Sequence, residues 1–182
     1  GAPSRGTEIR LAEASIGPGP STTLNVSGYD DGSLAFSTGN ESLDSIQYAV
    51  EDTRIRYAAG AVTRVQSDGS VLLVEPNFVL SEQRVILPVV ELSVEDREIA
   101  GSRTVLVRSE RELRDVEVDR RDIDRVELNV TTPATDAWES YLDEGQGMDC
   151  TRLDGADGQR LSCEKDLDRV LVVRYTIDVT FE

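Results

Sequence analysis

Apolar residues along this chain recur mostly at every second position, β-branched residues are abundant, and Gly, Asp, Asn and Ser collect between the apolar runs. Successive side chains of an extended chain point to opposite faces, so this alternation predicts half-buried strands. After the polar stretch 17–23, strands are predicted at residues 24–29, 33–37, 45–51, 53–58, 61–66 and 70–75. Further strands are predicted at 84–94, 103–109, 115–119, 124–132, 159–163 and 167–181. Gly28-Tyr29-Asp30-Asp31-Gly32 and Ser67-Asp68-Gly69 supply turn residues between neighbours. Pro88 offers no N–H, which places its strand at a sheet edge or at a bulge.

One helix stands out from this pattern. Thr132-Pro133 provides a cap candidate and a proline where a helix spares an N–H, and Ala134, Ala137, Trp138, Tyr141 and Leu142 follow at helical spacing. The fold class expected is therefore all-β, a mainly antiparallel β-sandwich with one short helix around Pro133–Leu142. Residues 6–16 fit either period, because Ile9, Leu11, Ala12 and Ile16 serve both. Gly17-Pro18-Gly19-Pro20 reads as a stiff connector, dividing an N-terminal segment (1–20) from a single sandwich domain (21–182). In the charge-dense stretch 108–125 and just after it, Leu113, Val116, Val118, Ile123, Val126, Leu128 and Val130 are expected to point inward, from a strand pair with a solvated charged face, with a helix as the alternative there.

Charge narrows the function classes. The 182 residues carry 35 acidic against 19 basic side chains, a formal net charge of -16. Such a surface repels phosphate lattices, so nucleic acid is not an expected partner. The chain has no histidine, which removes the usual neutral-pH base and the commonest zinc ligand. Lys165 is the only lysine. An acidic, lysine-poor surface is self-repelling at low salt and tolerable when the Debye length shrinks to about 3 Å in molar salt. Adaptation to high salt is the expectation.

Asparagine and cysteine point outside the cell. Three of the four asparagines open N-x-S/T triplets: Asn25-Val26-Ser27, Asn40-Glu41-Ser42 and Asn129-Val130-Thr131. Cys150 and Cys163 flank a stretch with Asp-Gly turn signals and can face each other across a hairpin. A disulfide there would persist only in an oxidising compartment. No run of eighteen apolar residues occurs, and Gly1-Ala2-Pro3-Ser4 reads as a cloning remnant, so an export signal or membrane helix is expected upstream of it.

Several ordered blocks carry a family resemblance. They are Tyr48 with Arg54-Ile55-Arg56-Tyr57-Ala58-Ala59-Gly60-Ala61-Val62-Thr63-Arg64, then Pro76-Asn77-Phe78, then Leu87-Pro88-Val89-Val90-Glu91-Leu92. With the strand running from Val126 into the tryptophan-bearing helix at Trp138 and the closing strand 170–181, the chain from Leu24 onward resembles the β domain of haloarchaeal secreted pilin-like proteins. That resemblance implies a surface location, self-assembly or other cell-surface proteins as partners, and membrane contact only through an N-terminal hydrophobic helix that this chain lacks. It implies no reaction and no cofactor.

The remaining chemistry is sparse. Asp30-Asp31, Asp166 with Asp168, and above all Asp154 and Asp157 in an oxygen-rich loop are the weak cation candidates, without EF-hand spacing. No carboxylate pair is singled out for glycoside hydrolysis. Lys165 in Cys163-Glu164-Lys165-Asp166 reads as a charged hairpin end, and Trp138 and Tyr141 read as core before they read as a sugar platform. The expected function is a non-enzymatic extracellular structural or adhesive domain, with a secreted ligand- or ion-binding sandwich as the alternative.

Overall fold

A computed structural model describes residues 4–153 and 160–182. The strands are β1 (Ser4–Arg10), β2 (Ala14–Asp30), β3 (Ser33–Ser37), β4 (Glu41–Val50), β5 (Thr53–Ala58), β6 (Ala61–Gln66), β7 (Gly69–Val74), β8 (Val79–Leu80), β9 (Val85–Val94), β10 (Ile99–Gly101), β11 (Thr104–Arg121), β12 (Arg125–Thr131), β13 (Asp149–Leu153), β14 (Arg160–Asp166) and β15 (Arg169–Phe181). One helix, α1 (Thr135–Glu139), runs into a π-helical turn at Ser140–Gly145. The fold is all-β with one short helix, and its sheets curl as half-barrels.

The first sheet has the order β1-β11-β15-β9-β8. The second runs β13-β14-β12-β2-β4-β5-β6-β7, with β3 and β10 also paired to β2. Pairing is antiparallel except between β15 and β9. β8 pairs only as far as Ile86, so Pro88 lies beyond it at the free side of β9, the edge position that its missing N–H requires.

Two apolar cores hold the sheets together. Leu24, Val26, Leu43, Val85, Leu87, Val89, Leu128, Trp138, Val170 and Val172 belong to the larger one. Leu11, Ala14, Ile16, Leu92, Val105, Val179 and Phe181 form the smaller, with Ile46, Tyr48, Val94 and Ile177 against it. The β9–β15 register is unbroken from Val85 to Val94, yet the inward residues of β9 change from odd to even numbers and those of β15 from even to odd. Each of these strands therefore buries one face at one end and the opposite face at the other, which a simple two-layer sandwich does not do.

The N-terminal part differs from expectation. Residues 6–16 are strand, a tight turn, then strand: β1 pairs with β11 and the start of β2 with β4 and β10. The expected connector Gly17-Pro18-Gly19-Pro20 lies inside β2, whose register shifts between Gly19 and Thr22, so residues 1–20 are not set apart from the sandwich. The bulge takes up Pro20, and Ser45 Oγ donates to its carbonyl at 2.8 Å. A Cβ at Gly17 would meet the backbone of Glu98 at 2.9 Å, so glycine here permits a crossing chain rather than a flexible link.

Two further corrections concern β11 and the helix. The predicted strands 103–109 and 115–119 are one continuous β11, bulged between Arg111 and Leu113 and between Val116 and Val118. Leu113 and Val116, expected inside, are 53% and 55% exposed. Ile123, Val126, Leu128 and Val130 are buried, and Val118 packs on the larger core. The helix starts at Thr135 rather than at the proline, because Thr132 folds a turn ahead of it: its Oγ1 accepts from the Ala134 N–H at 3.2 Å and its carbonyl accepts from Thr135 Oγ1 at 2.9 Å. The predicted apolar face is buried in full.

Candidate functional site

Alternation on β2, β12, β14 and β13 sends Leu24, Val26, Leu128, Val130, Leu161 and Cys163 into the larger core. The intervening residues face the other side. In register across the four strands stand Asn25, Asn129, Ser162 and Thr151, each directly opposite the next. Asn40 extends this row: it immediately precedes β4, where Glu41 faces Leu24, and its Oδ1 accepts from Asn25 Nδ2 at 3.4 Å. All three sequon asparagines therefore lie on one face, in one row that contains no charge.

The neighbouring rows are different. On one side Ser27 is followed by Glu127, Glu164 and Asp149; on the other, Thr23 and Thr131 are followed by Arg160 and Leu153. The row itself is held by hydrogen bonds. Asn25 Oδ1 accepts from Ser27 Oγ and Ser37 Oγ, each at 3.1 Å, and Asn129 Nδ2 donates to Glu127 Oε1 at 2.5 Å. The stretch leading to Asn40 is pinned to β2, since Thr38 N–H donates to the Val26 carbonyl and Thr38 Oγ1 accepts from the Val26 N–H, both at 3.0 Å.

Cys150 and Cys163 are joined. They are the pair next to Thr151–Ser162 in the β13–β14 ladder, so the disulfide fixes the register that completes the polar row. The row and the disulfide occupy opposite faces of the same strands.

The other sequence candidates have structural roles. Lys165 Nζ donates to the Gln146 carbonyl at 2.7 Å, tying β14 to the end of the π-helical turn. Trp138 and Tyr141 are buried against Phe78, with ring centroids 6.1 to 6.4 Å apart, and offer no face to a sugar. Burial first, and the Glu75 charge second, push the Tyr141 phenol up to about 12; its OH donates to the Pro76 carbonyl at 3.3 Å. Asp136 and Glu139, on the acidic side of α1, both bind Arg152 on β13. Asp31 N–H, in the β2–β3 turn, donates to Asp124 Oδ2 at 2.8 Å, just ahead of β12. Asp154 and Asp157 lie outside the described residues. Among the described residues no group of three or more Cys, Asp or Glu side chains is arranged to hold a metal ion, and no helix is long and apolar enough to cross a membrane.

One cleft lies between the edge strand β7 and the helical turn. It measures about 310 Å³ and is lined by Ser70, Val71, Leu72, Ala137 and Tyr141. Glu75 and Ser140 also line it, and the Ser140 hydroxyl donates to Glu144 Oε2 at 3.1 Å.

The sequence pointed to the three asparagines singly, but neither to their meeting nor to Ser162 and Thr151. Period two shows that these residues face outward; only the pairing of strands distant in sequence shows that they face outward together. No curated protein and no solved structure is significantly similar to the chain. Residues 1–180 match the model of DUF7289, a family of unknown function, and the chain belongs to that family.

Proposed function

We propose that the chain is a non-enzymatic extracellular domain, structural or adhesive, of a pilin-like or anchored haloarchaeal cell-surface protein. The observation that carries this reading is the meeting of three sequon asparagines in one uncharged row on a sheet whose opposite face is locked by a disulfide. A disulfide suits an oxidising compartment, and a face of clustered N-x-S/T sites suits exposure to glycan transfer. The strongly acidic surface supports a protein that works in molar salt, where screening relieves its self-repulsion. Its partners in this reading are further copies of itself or other cell-surface proteins.

Protease treatment of intact cells of the native host tests the reading. Peptides from this chain should be released before lysis, with Cys150 and Cys163 recovered as a disulfide-linked pair. Recovery only after lysis, with both thiols free, overturns it. A secreted ligand-binding module is the second reading, favoured by the cleft between β7 and the helical turn. In that case the chain is found in the culture medium rather than on the cells.

A further inference from the structure

The three sequons are not equivalent once the sheet has formed. Asn129 sits mid-strand in β12 with pairing strands on both sides, Asn25 sits in β2 with β12 on one side and the stretch 38–40 on the other, and both side chains are half-buried. Both of their amide nitrogens donate hydrogen bonds, Asn25 to Asn40 and Asn129 to Glu127. Ser27, the hydroxyl residue of the first sequon, is buried and bonded to Asn25 itself. Asn40 lies in the short connection between β3 and β4 and is exposed, as is its sequon hydroxyl residue Ser42. Its Oδ1 is engaged by Asn25, while its Nδ2 donates no hydrogen bond among the described residues.

We propose that Asn40 is the glycosylated asparagine of the folded chain, and that the row Asn25, Asn129, Ser162 and Thr151 is the seat on which its glycan lies. This deepens the cell-surface reading and rests on it. The reaction needs a transferase and an oligosaccharide activated as a phosphate ester on a lipid carrier. Asn40 Nδ2 forms the new bond to the anomeric carbon, and the bond from that carbon to the phosphate oxygen breaks. The phosphate leaves on its carrier with the electron pair, and one amide proton passes to a base of the transferase. The product amide keeps its Oδ1, so the hydrogen bond from Asn25 survives and holds the first sugar at the end of the row.

From there the row continues across the strands at about 4.8 Å per step, roughly 19 Å in all, enough for a short oligosaccharide. Amides and hydroxyls can both donate to and accept from sugar hydroxyls, which charged side chains of one sign cannot do. This accounts for an uncharged line through a surface that otherwise carries acids on most of its strands.

Mass spectrometry of the chain isolated from the native cell surface tests the acceptor. Glycan on Asn40 with bare Asn25 and Asn129 is expected. Glycan on Asn25 or Asn129, or on none of the three, overturns the inference, while the protease experiment on intact cells judges the cell-surface reading separately. The seat is tested by the double substitution Thr151→Ala with Ser162→Ala, made in the native-host protein and in Asn40→Gln. The melting temperature should fall by at least about 2 °C more in the glycosylated chain than in Asn40→Gln. Equal shifts in both backgrounds overturn the seat.

Discussion

Arg174 on β15 forms an ion pair with Glu41 on β4, and so joins the two sheets. The same guanidinium takes Glu91 on β9 and Glu117 on β11, each at 3.0 Å, beside the point where β9 and β15 change the face they bury. Burial pulls the Arg174 pKa down, but the hydrogen bonds it donates to Glu41, Glu117 and Glu91 more than offset this, and it ends above its ordinary value. Its side chain is only 18% exposed, so the three carboxylates depend on it in a setting where water screens them poorly.

Replacing that cation should therefore cost more than an ordinary surface ion pair. Arg174→Met is expected to destabilise the chain by about 2 kcal/mol, a value held below the fully buried range because the cluster is partly exposed. Glu41→Gln, which leaves two carboxylates in place, should cost less than half as much. Chemical denaturation of the two variants checks the order; equal stabilities would show that Arg174 does not bridge the sheets.

Reduction of Cys150–Cys163 should lower stability by about 3 kcal/mol, since the bond closes a loop with a sequence separation of 13. Denaturation of the double substitution Cys150→Ser with Cys163→Ser measures the effect. Because the disulfide sets the Thr151–Ser162 pairing, amide exchange should rise in β13 before it rises in β12.

Alkaline pH should weaken the fold through Tyr141. Its phenol titrates at about 12 in the folded chain against an ordinary value of 10, so the folded state holds the proton more tightly than the unfolded state. The associated stability is fully present below pH 10 and is lost as pH rises towards 12, by about 2 kcal/mol. Burial raises Tyr57 in the same direction. In Tyr141→Phe the decline across that window should become shallower without vanishing; an unchanged slope would remove Tyr141 as its source.

Salt should act on the whole surface. With a net charge of -16, the melting temperature is expected to rise from low salt to molar KCl as screening and cation binding relieve carboxylate repulsion. Calorimetry across that range decides the matter, and a flat profile would argue against adaptation to high salt.

The amino-acid sequence by itself determined most of the half-buried strands, though not β13, which it did not single out. Leu24, Val26, Leu128 and Val130 alternate with polar residues because one face meets the core and the other meets water, and that alternation is local. The same holds for the helix, whose Ala134, Ala137, Trp138 and Tyr141 carry its apolar face in their spacing, and for Cys150 and Cys163 across a hairpin. It failed where local signals have a non-local cause. Gly17-Pro18-Gly19-Pro20 looks like a linker, yet it is strand because β4 pairs with it and the backbone at Glu98 crosses close above Gly17. Leu113 and Val116 keep an apolar pattern, yet they lie on opposite faces of one unbroken stretch of β11 and both meet solvent, because residues 110–116 are exposed on both faces.

Only the tertiary structure decided the candidate site. Asn25, Asn40 and Asn129 are each recognisable as a sequon, but their row depends on β12 pairing with β2 on one side and β14 on the other. Register between strands so far apart in the chain is fixed by burial of both inner faces at once, a condition that no window of sequence contains. The same condition brought Arg174 to Glu41. Charge composition foretold an acidic surface, while the place where one arginine gathers three glutamates followed from two sheets crossing.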